Sequence, residues 1–110
     1  SFTIIMPDYE NEKIMEEFDR RFQYESGKTK RLIQESIKEY ISLGAKVFLF
    51  NGSLHAGYYL LDNVAFMSFF NHTKEKSTVP FIRTESKGTF YNYICTEVEN
   101  IKKNSRQVNE

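Results

Sequence analysis

An α/β fold, with a mixed β-sheet flanked by helices, is predicted by three features of this chain. Short β-prone apolar runs alternate with longer runs whose apolar residues recur at helical spacing. The helical runs cluster near the start and at the end, with several strands between them. Two of those strands are separated by only two turn-forming residues, which marks a tight antiparallel hairpin.

The elements follow in order. Phe2–Met6 is a short apolar run stopped by Pro7 and reads as a strand. Asp8 is the expected cap of a first helix, because a short polar side chain there can accept from the first free N–H groups. Ile14, Met15, Phe18 and Phe22 form its apolar stripe, and it should end between Phe22 and Tyr24. Glu25-Ser26-Gly27 is the loop. A second helix is predicted over Thr29–Leu43, with Ile33, Ile37, Tyr40 and Ile41 facing inward and Gly44 placed to end it. Lys28, Lys30 and Arg31 sit at its N-terminus, the unfavourable end of the dipole for cations. The ordinary reading is a solvated face; the sharper one is an anion or an acidic partner held there.

Lys46–Phe50 is the next strand. Leu54–Leu61 and Val64–Phe70 follow as the hairpin, joined at Asp62-Asn63. Val79–Arg83 is a fifth strand beyond the polar segment Asn71–Thr78. Phe90, Ile94, Val98 and Ile101 mark a closing helix over Lys87–Asn104, with Cys95 expected as a small core residue. The predicted order is β-α-α-β-β-β-β-α in one domain, residues 1–104. The polar tail, 105–110, is expected to fray.

Charge and cysteine content narrow the function classes. Fifteen basic side chains balance fifteen acidic ones, which argues against a dedicated nucleic-acid binder. A single cysteine excludes an internal disulfide and a cysteine-rich zinc site, and points to a reducing, cytoplasmic setting. No apolar run approaches the roughly 18 residues of a membrane span. The start lacks the basic flank of a signal peptide, and its abrupt strand suggests a fragment of a longer protein. There is no Gly-rich phosphate loop, no G-x-S-x-G and no H-E-x-x-H. His55 and His72 alone do not make a metal site, and no cofactor is indicated.

One constellation carries chemistry. His55-Ala-Gly57-Tyr-Tyr-Leu-Leu-Asp62 places a histidine seven residues before an aspartate, and Asn71 follows nine residues later. This resembles the H-x-K-x4-D signature of the phospholipase D superfamily. The helix, the Gly44 step and the strand to Phe50 resemble its lead-in, so the likeness spans about residues 34–72. It implies His55 as a nucleophile on phosphorus, forming a covalent intermediate, with Asp62 fixing the histidine or the hairpin. Asn71 would donate to the phosphoryl oxygens. Gly57 stands where the family has its lysine. Bulkier residues around Met67-Ser68-Phe69-Phe70 replace the family's small ones, and two phenylalanines there would tend to fill the phosphate space.

The family builds its site from two motifs, and this chain has one, so a working site implies a homodimer with both His55 side chains at the interface. Losing one preorganised charge costs roughly 10²- to 10³-fold in rate, and a two-fold site would lose two. The resemblance therefore implies a non-catalytic ligand-sensing or dimerisation domain, such as the regulatory part of a bacterial transcription factor or of a multidomain protein. Its ligand would be a small molecule or a phosphate-containing compound, held by His55, Gly57, Ser68 and Asn71. The alternatives are a weak homodimeric phosphodiesterase or nuclease using His55, Asp62 and Asn71, and a purely structural interaction module. Ordinary readings stand beside these. Asp62 is a good turn residue, Asn71 a common strand end, and His72, Lys74 and Lys76 belong to a solvated loop.

Overall fold

The structure, a computed structural model, describes residues 2–70, 72 and 80–109. Six strands form one mixed sheet: β1 (Phe2–Pro7), β2 (Lys46–Phe50), β3 (Ala56–Leu61), β4 (Val64–Phe69), β5 (Phe81–Glu85) and β6 (Ser105–Gln107). Their spatial order is β5-β4-β3-β1-β2-β6. Only β1 and β2 run parallel, and they need the long crossover that α1 (Glu12–Arg21) and α2 (Lys28–Ser42) supply. The other neighbours are antiparallel. The helix α3 (Thr89–Lys102) follows β5.

Strand alternation sorts the side chains onto two faces. Tyr40 of α2 packs against Phe2 and Tyr59, so α2 covers the Phe2, Ile4, Tyr59 face. Lys102 of α3 lies over the Phe48 ring, which marks the opposite face. The sheet is thus sandwiched between helices over its centre. That is why β1 is apolar on both faces: Ile4 and Ile5 are each buried. The core joins Phe18, Ile33 and Ile37 of the first two helices to Val47 and Leu49, and Ile94 and Val98 of α3 to Ala65.

The second helix ends as its sequence predicts. Gly44 takes φ +86°, its N–H donates to the Ile41 carbonyl, and the Ala45 N–H reaches back to Tyr40. These are the two bonds of a Schellman cap. The hairpin also closes through two residues, with Asp62 at φ +53°.

Three details differ from the sequence reading. Asn11, not Asp8, caps α1: its side chain accepts from the Ile14 N–H. Asp8 is buried and engaged elsewhere, by Arg106 Nε and Nη2 at 3.0 and 3.1 Å. Among the described residues the fifth strand spans Phe81–Glu85, two residues past its predicted end at Arg83, while Val79 lies outside the described residues; the register with β4 runs from Ser68↔Phe81 to Val64↔Glu85. Cys95 is half-buried rather than central, because Ile94 and Val98 occupy the inward line of α3.

The tail is the largest difference. Ser105–Gln107 adds to the sheet beside β2 instead of fraying. The Val108 N–H donates to Val47, and the Asn109 side chain donates to the Ala45 carbonyl and accepts from the Val47 N–H. A polar segment suits an edge strand with one solvated side, and main-chain bonds hold it where apolar periodicity is absent.

Candidate functional site

The motif residues are spread along β3. His55 precedes the strand, which starts at Ala56 and not at Leu54, and its side chain is exposed. Asp62 sits in the hairpin turn at the other end. Six strand residues separate them, roughly 20 Å of extended chain, so the two side chains do not share one site. Asp62 acts as the turn residue. Asn71, Lys74 and Lys76 lie outside the described residues, and His72 is exposed.

Gly57 and Ser68 are brought together. They are directly paired across β3 and β4. A Cβ on Gly57 would meet Ser68 Oγ at 2.7 Å and the Tyr59 ring at 3.5 Å. The family's lysine could stand there only if Ser68 turned aside. The bare glycine also helps to leave a cavity of about 210 Å³ between the sheet and the α1–α2 layer. Its wall combines Gly57, Tyr59 and Ile33 with Phe18, Phe22 and Phe70, and Ser36 and Tyr24 add polar groups.

Phe70 is the residue the sequence reading undervalued. Leaving the end of β4, it turns its ring onto Phe18 and Phe22, at 5.5 and 6.0 Å and nearly perpendicular to each. Edge-to-face aromatic packing of this kind is favourable beyond its buried area. The two phenylalanines of α1 are four residues apart and therefore neighbours on one helix face. That spacing was the available signal; the distant partner was not visible in it. The bulk expected at this point does intrude, but through Phe70 alone, since Phe69 remains substantially exposed.

The first turn of α2 borders the same region. Gly27 provides no side-chain cap. Asp19 of α1 replaces it, accepting from the Gly27 N–H at 2.9 Å and the Thr29 N–H at 2.8 Å. Asp19 thus serves this helix end from within the chain, while Arg31 lies 3.8 Å from Glu25 and Lys28 stands over the Tyr24 ring. Burial alone pushes the Asp19 carboxyl up, but Thr29 and the Gly27 N–H outweigh it and bring it below the ordinary 3.8. The Thr29 hydroxyl is buried beside this carboxylate without a hydrogen bond of good geometry. Among the described residues no group of three or more His, Cys, Asp or Glu could hold a metal ion, and no helix is long and apolar enough to cross a membrane.

What the arrangement can do chemically is bind. An aromatic-walled cavity with the hydroxyls of Tyr24, Thr29, Ser36 and Tyr59 at its wall can hold a small ring. Comparison with known proteins adds no relative: no family model, no curated protein and no solved structure matches this chain.

Proposed function

We propose that this chain is a non-catalytic binding domain of phospholipase D-like type, which holds a small, mostly apolar molecule beside Gly57. The observation that carries the reading is the cavity of about 210 Å³ walled by Gly57, Tyr59, Phe18, Phe22 and Phe70. Its size suits a substituted single ring, since an apolar cavity of about 150 Å³ accepts benzene. The helix, Gly44 step, β2 and hairpin follow the order expected of the phospholipase D-like half, which supports the family reading. The absent lysine favours binding over hydrolysis.

Titration of the chain with phenol and with indole, followed by amide NMR, tests this. Saturable shifts at Gly57, Tyr59 and Phe70, abolished in Ser36→Leu, are expected. The absence of saturable shifts with either probe would remove the reading. The rival phosphodiesterase draws support from the exposure of His55, which leaves it open to a second copy. Diester hydrolysis lost in His55→Ala would establish that alternative.

A further inference from the structure

The two edges of the sheet are finished differently. On one side β6 is only three residues long and is fastened by Arg106 and Asn109. On the other, β5 pairs with β4 and ends the sheet. The Ser86 N–H donates to the Asn63 carbonyl at 3.0 Å, in register with the pairs Thr84↔Ala65 and Ile82↔Met67. Antiparallel pairing alternates, so the main-chain groups of Ile82 and Thr84 turn toward β4. Those of Phe81, Arg83 and Glu85 turn toward an edge that no described strand covers, where they form a template for another strand.

Two side-chain features lie on the same five residues. Arg83 and Glu85 lie on the face away from α3, 53% and 67% exposed, and already pair with each other at 2.7 Å, so a partner's pair would extend this one into a four-charge cluster. Thr84 is on the α3 face, and its hydroxyl is buried with no hydrogen-bond partner.

From these we infer that two copies of this chain pair through β5, antiparallel, about a two-fold axis at Thr84. The sheet then continues from one copy into the next. In that register each Arg83 faces the partner's Glu85, and each Glu85 faces the partner's Arg83. Their outward main-chain groups bond to one another. The two Thr84 residues meet as a non-hydrogen-bonded pair, with Cα atoms about 4.5 Å apart, close enough for their hydroxyls to bond once each turns from its buried position toward the edge.

The neighbouring registers fail. Centring on Arg83 sets Arg83 against Arg83, and directly opposed like charges are destabilising. Centring on Ile82 carries Glu85 past the end of the partner strand and leaves the Thr84 hydroxyl unpaired. Charge on an edge strand ordinarily discourages pairing. Here the alternation of sign makes the edge complementary to its own two-fold copy.

Sedimentation and light scattering test the mass, with dimer expected at twice 13.0 kDa. In Glu85→Arg, two attractive pairs become repulsive, so self-association should weaken about tenfold or more. The double variant Arg83→Glu, Glu85→Arg should restore it, and circular dichroism checks that each variant is folded. In a Cys95→Ser background, Thr84→Cys should form a disulfide-linked dimer on mild oxidation, and Ile82→Cys should not, because only the former meets itself across the axis. A monomer at every concentration up to the solubility limit overturns the inference. So does crosslinking through Ile82 in preference to Thr84, or a dimer indifferent to Glu85→Arg.

Discussion

Replacing Asp19 tests whether one carboxylate joins the first two helices. Its oxygens accept from the Gly27 and Thr29 N–H groups, and Asp19 and Thr29 are each about 6% exposed. In Asp19→Ala the Gly27 N–H can recover a water, but the Thr29 N–H is left buried and unpaired. A bond to a charged acceptor contributes about 1.5–3 kcal/mol, and an orphaned buried donor costs about 1–3 kcal/mol. With partial rehydration, a loss of about 2–4 kcal/mol is expected. At roughly 2 cal/mol/K of unfolding entropy per residue, this chain should lose roughly 4 °C per kcal/mol, or about 8–16 °C in Tm. Asp19→Asn keeps one acceptor and should cost about half as much. Because folding lowers the Asp19 pKa, the charge contributes fully above its unfolded value near 3.8 and is lost as pH falls through the lower folded value. Urea unfolding from pH 7 down to pH 3 should therefore show a constant gap between wild type and Asp19→Asn that narrows in acid. An Asp19→Ala loss below about 0.5 kcal/mol, the usual scale of surface substitutions, would refute the reasoning. A gap that does not narrow in acid would refute the electrostatic part.

Other consequences are equally checkable. Arg106→Met strips Asp8 of its two-bond partner. The hydrogen bond from Arg106 is the main cause holding the Asp8 carboxyl below its ordinary value. Arg106 is 44% exposed, which limits the loss to about 1–2 kcal/mol, read by chemical denaturation. Hydrogen exchange should quicken at Leu49 and Asn51, whose main-chain groups face β6, in the same variant. Ile94→Ala, at a position with no exposure, should cost about 2–5 kcal/mol by calorimetry. Tyr40 is pushed up to about 12, first by burial and then by Tyr59. A phenol whose folded pKa is raised supports the fold below its unfolded value near 10 and withdraws that support as pH climbs toward 12. Tyr24, Tyr58 and Tyr91 are raised as well, so ultraviolet titration should show several tyrosines ionising late, and Tyr40→Phe should remove the last of those steps.

The sequence displayed the elements whose signals are local. Gly44 announced a helix end because only a left-handed residue makes that cap comfortable, and Asp62-Asn63 announced a hairpin because two residues leave no other path. It concealed what depends on residues far apart in the chain. Asp8 looked like a cap because the partner that claims it is Arg106, 98 positions later. The tail looked loose because its hold is main-chain pairing with β2, which leaves no apolar pattern. For the site, the spacing from His55 to Asp62 was real, but an extended strand turns seven residues into distance rather than proximity. Gly57 was legible as space. The aromatic wall around it was not, since Phe70 meets Phe18 and Phe22 only after folding.

The pairing of β6 with β2 also decides where the chain's ends emerge. Thr3 is in register with Lys46, and the Val108 N–H bonds to Val47, so both ends leave from the same rim of the sheet. Two strand spacings, roughly 10 Å, separate β1 from β6. A short flexible joint could span that gap. A version of the chain opened at the Asp62-Asn63 turn, with its present ends fused, would preserve every strand neighbour. The strand neighbours of this sheet therefore do not depend on the covalent link at that turn.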